Sequence, residues 1–183
     1  MTPRRPIPPL HRALALVAGC ILALLSGLAA AQSQRTFVAS YGDDASASCS
    51  LALPCRSFNA AIAKTNPNGE VIILDTAGYG PMTITKALKV IGPAGVYGGI
   101  SVITAGSTGV TINAGNSDIV ILRGLDVSGL GGQYGIDIQN AGAVHIEKTS
   151  VSNFGTVGNE NCIRMATARE IKRTPMVTRK MVE

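Results

Sequence analysis

The 183-residue chain contains no tryptophan, and aromatic residues make up only 4% of it. A core without large rings must be filled by Val, Ile, Leu and Ala, which suits regular, tightly stacked strands better than an irregular globule. Histidine is almost missing as well: of two, only His145 lies beyond the first 31 residues. No H-E-x-x-H, G-x-S-x-G or phosphate-loop pattern occurs, so zinc-peptidase, α/β-hydrolase and P-loop chemistry find no footing here. Charge is sparse, and the formal net +5 belongs to the ends. Three of the sixteen bases precede residue 32 and six follow residue 155, which leaves seven bases against eight acids between them. That near-neutral middle excludes the basic face a nucleic-acid partner demands.

What is present begins with an export layout. "MTPRRPIPPLHR" is basic, "ALALVAGCILALLSGL" is uncharged and apolar, and Ala29 and Ala31 form an A-x-A arrangement. This pattern reads as a secretory signal peptide over residues 1–31, cleaved after Ala31, and predicts a secreted or periplasmic protein. The apolar run is short for a membrane span, and no second span follows, so no stable membrane anchor is expected after cleavage. "VAGC", ending at Cys20, resembles a lipoprotein box, but its long apolar stretch follows the cysteine rather than preceding it. Soluble export is the better reading.

Residues 32–69 read as an N-terminal cap. Export implies an oxidising compartment, so Cys49 and Cys55 in "CSLALPC" are expected to form a short-loop disulfide. Their spacing does not suit zinc, and Cys162 has no evident mate. "RSFNAAIAK" reads as a short helix with Ser57 as N-cap and Phe58, Ala61 and Ile62 on one apolar stripe. "NPNG" ends it, because proline breaks the helix ladder and glycine permits the reversal.

Residues 70–155 carry a repeat. "DIVILRGLDVSG" (118–129) returns as "GAVHIEKTSVSN" (142–153), so that Val120, Leu122, Leu125 and Val127 match Val144, Ile146, Thr149 and Val151 at a spacing of 24. Apolar and variable places alternate as a strand requires, with one slip at Arg123-Gly124 that marks a corner. Val110 and Ile112 similarly precede Ile136 and Ile138 by 26. "EVIILD", "MTITKALKVIG" and "GGISVI" supply further short strands. A chain that winds so that like residues stack on like explains such an echo; an antiparallel sandwich does not. The expected fold is all-β: a right-handed parallel β-helix, a solenoid of about three to four coils from Glu70 to Phe154, with a short N-terminal capping helix. Residues 156–183 lose the alternation and the Gly/Asn turns and turn basic, so they are expected to form an atypical, disordered tail.

Residues 36–155 resemble a group of bacterial exported right-handed β-helix proteins within the pectin-lyase-like superfamily. The Cys pair, the capping helix, "GYGPMTITK" and the coils occur in the same order. The resemblance implies the fold and leaves activity open, since that superfamily holds lyases, hydrolases, adhesins and passive scaffolds. Its members continue with further coils and an end cap where this chain changes character.

Sugar-cleaving relatives group their acids. Hydrolases pair carboxylates; pectate-type lyases hold calcium with carboxylates and use Arg or Lys as base. The candidates in the coils are Arg123, Asp126, Asp137, Glu147 and Lys148, with Asp118 as a further acid. Arg123 and Glu147 lie one coil apart and should meet at about 5 Å, the strand spacing, more as a solvated ion pair than as half an active site. Asp126 faces Ser150, and Asp137 stands alone and outward. Asp43-Asp44 reads as a solvated loop, and His145 as a surface residue. No cofactor is evident; calcium would enter only with a lyase. Two functions fit: a non-catalytic surface, scaffold or carbohydrate-binding role, with a polysaccharide as partner, or a polysaccharide lyase or glycoside hydrolase. Sparse acids and scattered aromatics (Tyr79, Tyr97, Tyr134, Phe154) favour the first.

Overall fold

The computed structural model describes residues 32–154, 162–165 and 171–173. The export signal read in residues 1–31, with Cys20, lies outside the described residues. Among those described, no helix is long and apolar enough to cross a membrane.

The chain is mostly strand, arranged in three all-parallel sheets. β1 (Ser33–Val38) precedes α1 (Phe58–Lys64), the single helix among the described residues, and then β2 (Thr65–Ile73), β3 (Ala77–Gly78) and β4 (Met82–Ile84) follow. The sequence continues with β5 (Leu88–Ile91), β6 (Gly98–Val102), β7 (Thr108–Asn113), β8 (Ile119–Arg123) and β9 (Leu125–Gly129). It ends with β10 (Tyr134–Asn140), β11 (Ala143–Glu147), β12 (Ser150–Ser152), β13 (Ile163–Met165) and β14 (Ile171–Arg173). Sheet A has the order β1-β2-β5-β8-β11-β14, sheet B the order β12-β9-β6-β3, and sheet C the order β13-β10-β7-β4. From β2 onward the chain therefore visits A, B and C in rotation. Each strand bonds to its counterpart one circuit away, and among the described residues none folds back on its neighbour as a hairpin. The antiparallel alternative is thereby excluded.

The register matches the echo read in the sequence. Val120 lies opposite Val144, Leu122 opposite Ile146, and Val127 opposite Val151. Val110 and Ile112 lie opposite Ile136 and Ile138. The period itself varies: Leu88 pairs with Val120, 32 positions on, and Gly69 with Leu88, 19 positions on. Strand positions are fixed by stacking, whereas the turns between sheets differ freely in length. The inward places Val71, Val90, Leu122 and Ile146 of sheet A, Ile100, Val127 and Val151 of sheet B, and Ile84, Ile112 and Ile138 of sheet C are all fully buried. Each such side chain contributes about 1.5–3 kcal/mol by leaving water, and like shapes one above another leave few voids.

The corner between sheets A and B is made by Gly124, whose φ of +70° is open to glycine at little cost. A Cβ there would lie 2.2 Å from the carbonyl oxygen of Gly92, the corner of the preceding circuit. One circuit later the same place is Lys148, also left-handed at φ +47°.

The helix and disulfide of residues 32–69 are built as read, with two differences. Ser57 accepts from the Ala60 N–H, and Phe58, Ala61 and Ile62 are buried. The helix stops at Lys64, but "NPNG" lies inside β2 as an irregularity: Ser33 pairs with Thr65 and Arg35 with Glu70. The left-handed residue there is Asn68 (φ +63°), not the glycine beside it. Cys49 and Cys55 are disulfide-bonded. Parallel pairing also runs on into the stretch expected to be a disordered tail. Ile163 and Met165 pair with Ile136 and Ile138, and Ile171 pairs with Val144. The alternation I-R-M is too short to stand out in the sequence once the Gly/Asn turns are gone.

Candidate functional site

The residues singled out from sequence are distributed over all three sheets. Arg123 ends β8 and Glu147 ends β11, and the two are directly paired in register. Their side chains close to 2.7 Å, with Arg123 about half exposed. Lys148 follows at the corner. It borders a shallow cleft of about 420 Å³ lined by the Gly92–Val96 loop, Arg123 and Gly124. Asp126 stands on β9, in line with Gly99 on one side and Ser150 on the other, so no second acid stacks on it. Asp118 caps a turn, accepting from the Gly115 N–H at 2.8 Å.

Asp137 departs from expectation. It lies on the outward side of β10 but is only 3% exposed, and it is not alone. Arg164 from β13 grips both its oxygens, at 2.7 and 2.8 Å, and Gln139 donates to it at 3.0 Å. The guanidinium also sits 4.4 Å from the ring centre of Tyr134. The Arg164 contact holds the Asp137 carboxyl below its ordinary range against the opposing pull of burial. The partner was out of reach of sequence reading because it lies in a strand that carries no repeat signature.

Three polar clusters were not found from sequence. Glu70 sits between Arg35 (2.9 Å) and Lys89 (3.2 Å) on the outer row of sheet A. Hydrogen bonds from Arg35 and then Lys89 hold its carboxyl low. Asp75 accepts from the Ser40 N–H at 2.9 Å and from the hydroxyls of Ser40 and Tyr79. Tyr79 is itself buried against Phe58, ring centres 5.3 Å apart. Burial, then the Asp75 carboxylate, raises the Tyr79 phenol. Asp44, read as a solvated loop residue, accepts from the backbone N–H groups of Arg56 (2.7 Å) and Ser57 (2.8 Å) and so ties the disulfide loop to the start of α1. The signal for Glu70 was available, since Arg35, Glu70 and Lys89 each occupy variable places of strands. The others depend on loop paths that no periodicity encodes.

Among the described residues no group of three or more His, Cys, Asp or Glu side chains converges as a metal site. His145, opposite Ile121, is half-buried on the outward side of β11. Chemically, the outer surface of the described residues offers ion pairs, capped turns, hydroxyls and the shallow cleft beside Lys148. Comparison of the chain with family models, with curated proteins and with solved structures finds no match.

Proposed function

We propose that the chain is an exported right-handed parallel β-helix of the pectin-lyase-like kind, acting as a non-catalytic surface or scaffold module that binds carbohydrate. One observation carries the non-catalytic reading. The three candidate carboxylates stand on three different sheets: Glu147 on A, Asp126 on B and Asp137 on C. Glycosidic cleavage by paired acids needs two carboxyls within about 5–9.5 Å across one bond, and side chains leaving different faces of a solenoid do not flank one bond. Protonation states agree. A general acid works with a raised pKa, whereas Asp137 and Glu70 are held low by their cationic partners. Glu147 is already engaged by Arg123. The basic run and small-residue cleavage pattern of residues 1–31 support export.

The test is to titrate the mature chain against neutral and acidic polysaccharides, with and without calcium. Binding is measured by affinity electrophoresis, and cleavage by absorbance of unsaturated products and by reducing ends. Retardation without new ends is the expected result. Calcium-dependent unsaturated products would replace this reading with the lyase one.

A further inference from the structure

Four aromatic residues lie beyond the cap helix in the described coils, and three are occupied. Tyr79 and Phe154 are buried at 3% and 8% exposure, and Tyr134 lies under the Arg164 guanidinium. Tyr97 remains, 45% exposed, on the run into β6. Its ring lies over the outward side of Gly99: a Cβ on Gly99 would stand 2.4 Å from Tyr97 Cε1 and 3.0 Å from its hydroxyl. The glycine is thus what lets the ring settle onto the sheet, with one side seated on backbone.

The setting of the ring is chemically specific. Asp126 is the register partner of Gly99 on the adjacent strand, so the carboxylate stands about 5 Å of sheet away from the glycine under the ring. Burial, then the Asp126 charge, raises the Tyr97 phenol, in keeping with that proximity. Asp126 is the only charged residue on the four strands of sheet B. It has no partner in the ion pairs of the described residues. Beyond it runs a row of hydroxyls, Ser101, Ser128 and Ser152, matched strand to strand.

We propose that Tyr97, seated on Gly99 beside Asp126, is a stacking platform for one pyranose ring of a neutral polysaccharide lying along the outer face of sheet B. An aromatic face takes the C–H side of a sugar ring, and an ionised carboxylate accepts two hydrogen bonds from neighbouring sugar hydroxyls. The single negative charge beside the ring repels a carboxylated sugar, which selects the neutral class. This inference rests on the carbohydrate-binding reading above and names its site.

The mature chain is compared with Tyr97→Ala, Tyr97→Phe and Asp126→Asn by affinity electrophoresis in gels holding galactomannan, hydroxyethyl cellulose or polygalacturonate. Tyrosine fluorescence gives a second readout that tryptophan does not mask. The parent should be retarded by a neutral polymer and not by polygalacturonate. Tyr97→Ala should lose about ten-fold or more of that affinity while Tyr97→Phe keeps most of it, at unchanged thermal midpoints. Asp126→Asn should lose several-fold on the neutral polymer. If the parent binds a neutral polymer and Tyr97→Ala binds it equally, the site is elsewhere and only this inference falls. Preference for polygalacturonate overturns the neutral class. No binding by the parent to any polymer removes the carbohydrate reading and this site with it.

Discussion

The cap and the circuits are held together by different means. Residues 32–64 depend on particular polar bonds: the Asp44 carboxylate on two backbone N–H groups, the Ser57 cap and the Cys49–Cys55 bridge. From β4 to β12 the structure instead depends on repetition, with Val, Ile and Leu in register above one another and glycine where corners approach. A cap cannot be repetitive, because it faces a neighbour on one side only and must satisfy the edge it covers. Disruption should therefore spread through the stack when a circuit is broken and stay local when a cap contact is lost.

The largest effect is expected inside the stack. Val120→Asp buries an unpaired charge between Leu88 and Val144, and a loss of at least about 4 kcal/mol should abolish the folded state. Ile121→Asp, one residue away on the outward side, should cost under about 1 kcal/mol. Equal thermal midpoints for the two would erase the assigned facing.

Gly124→Ala comes next. It adds a Cβ 2.2 Å from the Gly92 carbonyl at a left-handed φ, and about 2–4 kcal/mol should be lost in denaturant titration. Retention of wild-type stability would mean the corner is looser than its geometry.

Cys49→Ser tests the other side of the comparison. The bridge spans a sequence separation of 6, for which loop entropy gives about 2 kcal/mol. Amide exchange should accelerate around Tyr41–Cys55 and leave β7 to β11 protected, whereas uniform acceleration would show cap and circuits to be one cooperative unit.

The smallest effect is expected at Asp137. Its folded pKa is lowered, so its contribution is complete above the unfolded value of about 4 and is lost as pH falls through the depressed folded value. Asp137→Asn should cost about 1–2 kcal/mol at neutral pH and show less acid sensitivity than the parent as pH falls below about 4. Parallel stability profiles for both would remove Arg164 as the cause of the shift.

Legibility in the sequence followed the same division. Val120 with Val144, Leu122 with Ile146 and the corner at Gly124 were readable because stacking forces like residues to recur at like places. The spacings of 19 and 32 between other circuits were not, since turn length carries no penalty that leaves a pattern. Of the candidate site, the Arg123–Glu147 pair was visible as two variable places one circuit apart. Asp137 was misjudged as solitary because its partner, Arg164, sits where the repeat fades.

By itself the sequence determined the facing of the strands in its two clearest copies and their parallel stacking, because a two-residue alternation and a fixed echo admit few other burials of those side chains. Only the tertiary structure decided that Asp137 is paired with Arg164 and that, of the tyrosines in the coils, Tyr97 is the exposed one. Tyr79 is buried and Tyr97 exposed, though both are tyrosines set among glycines. The path of the chain places Phe58 and Asp75 against one and the bare backbone of Gly99 beneath the other.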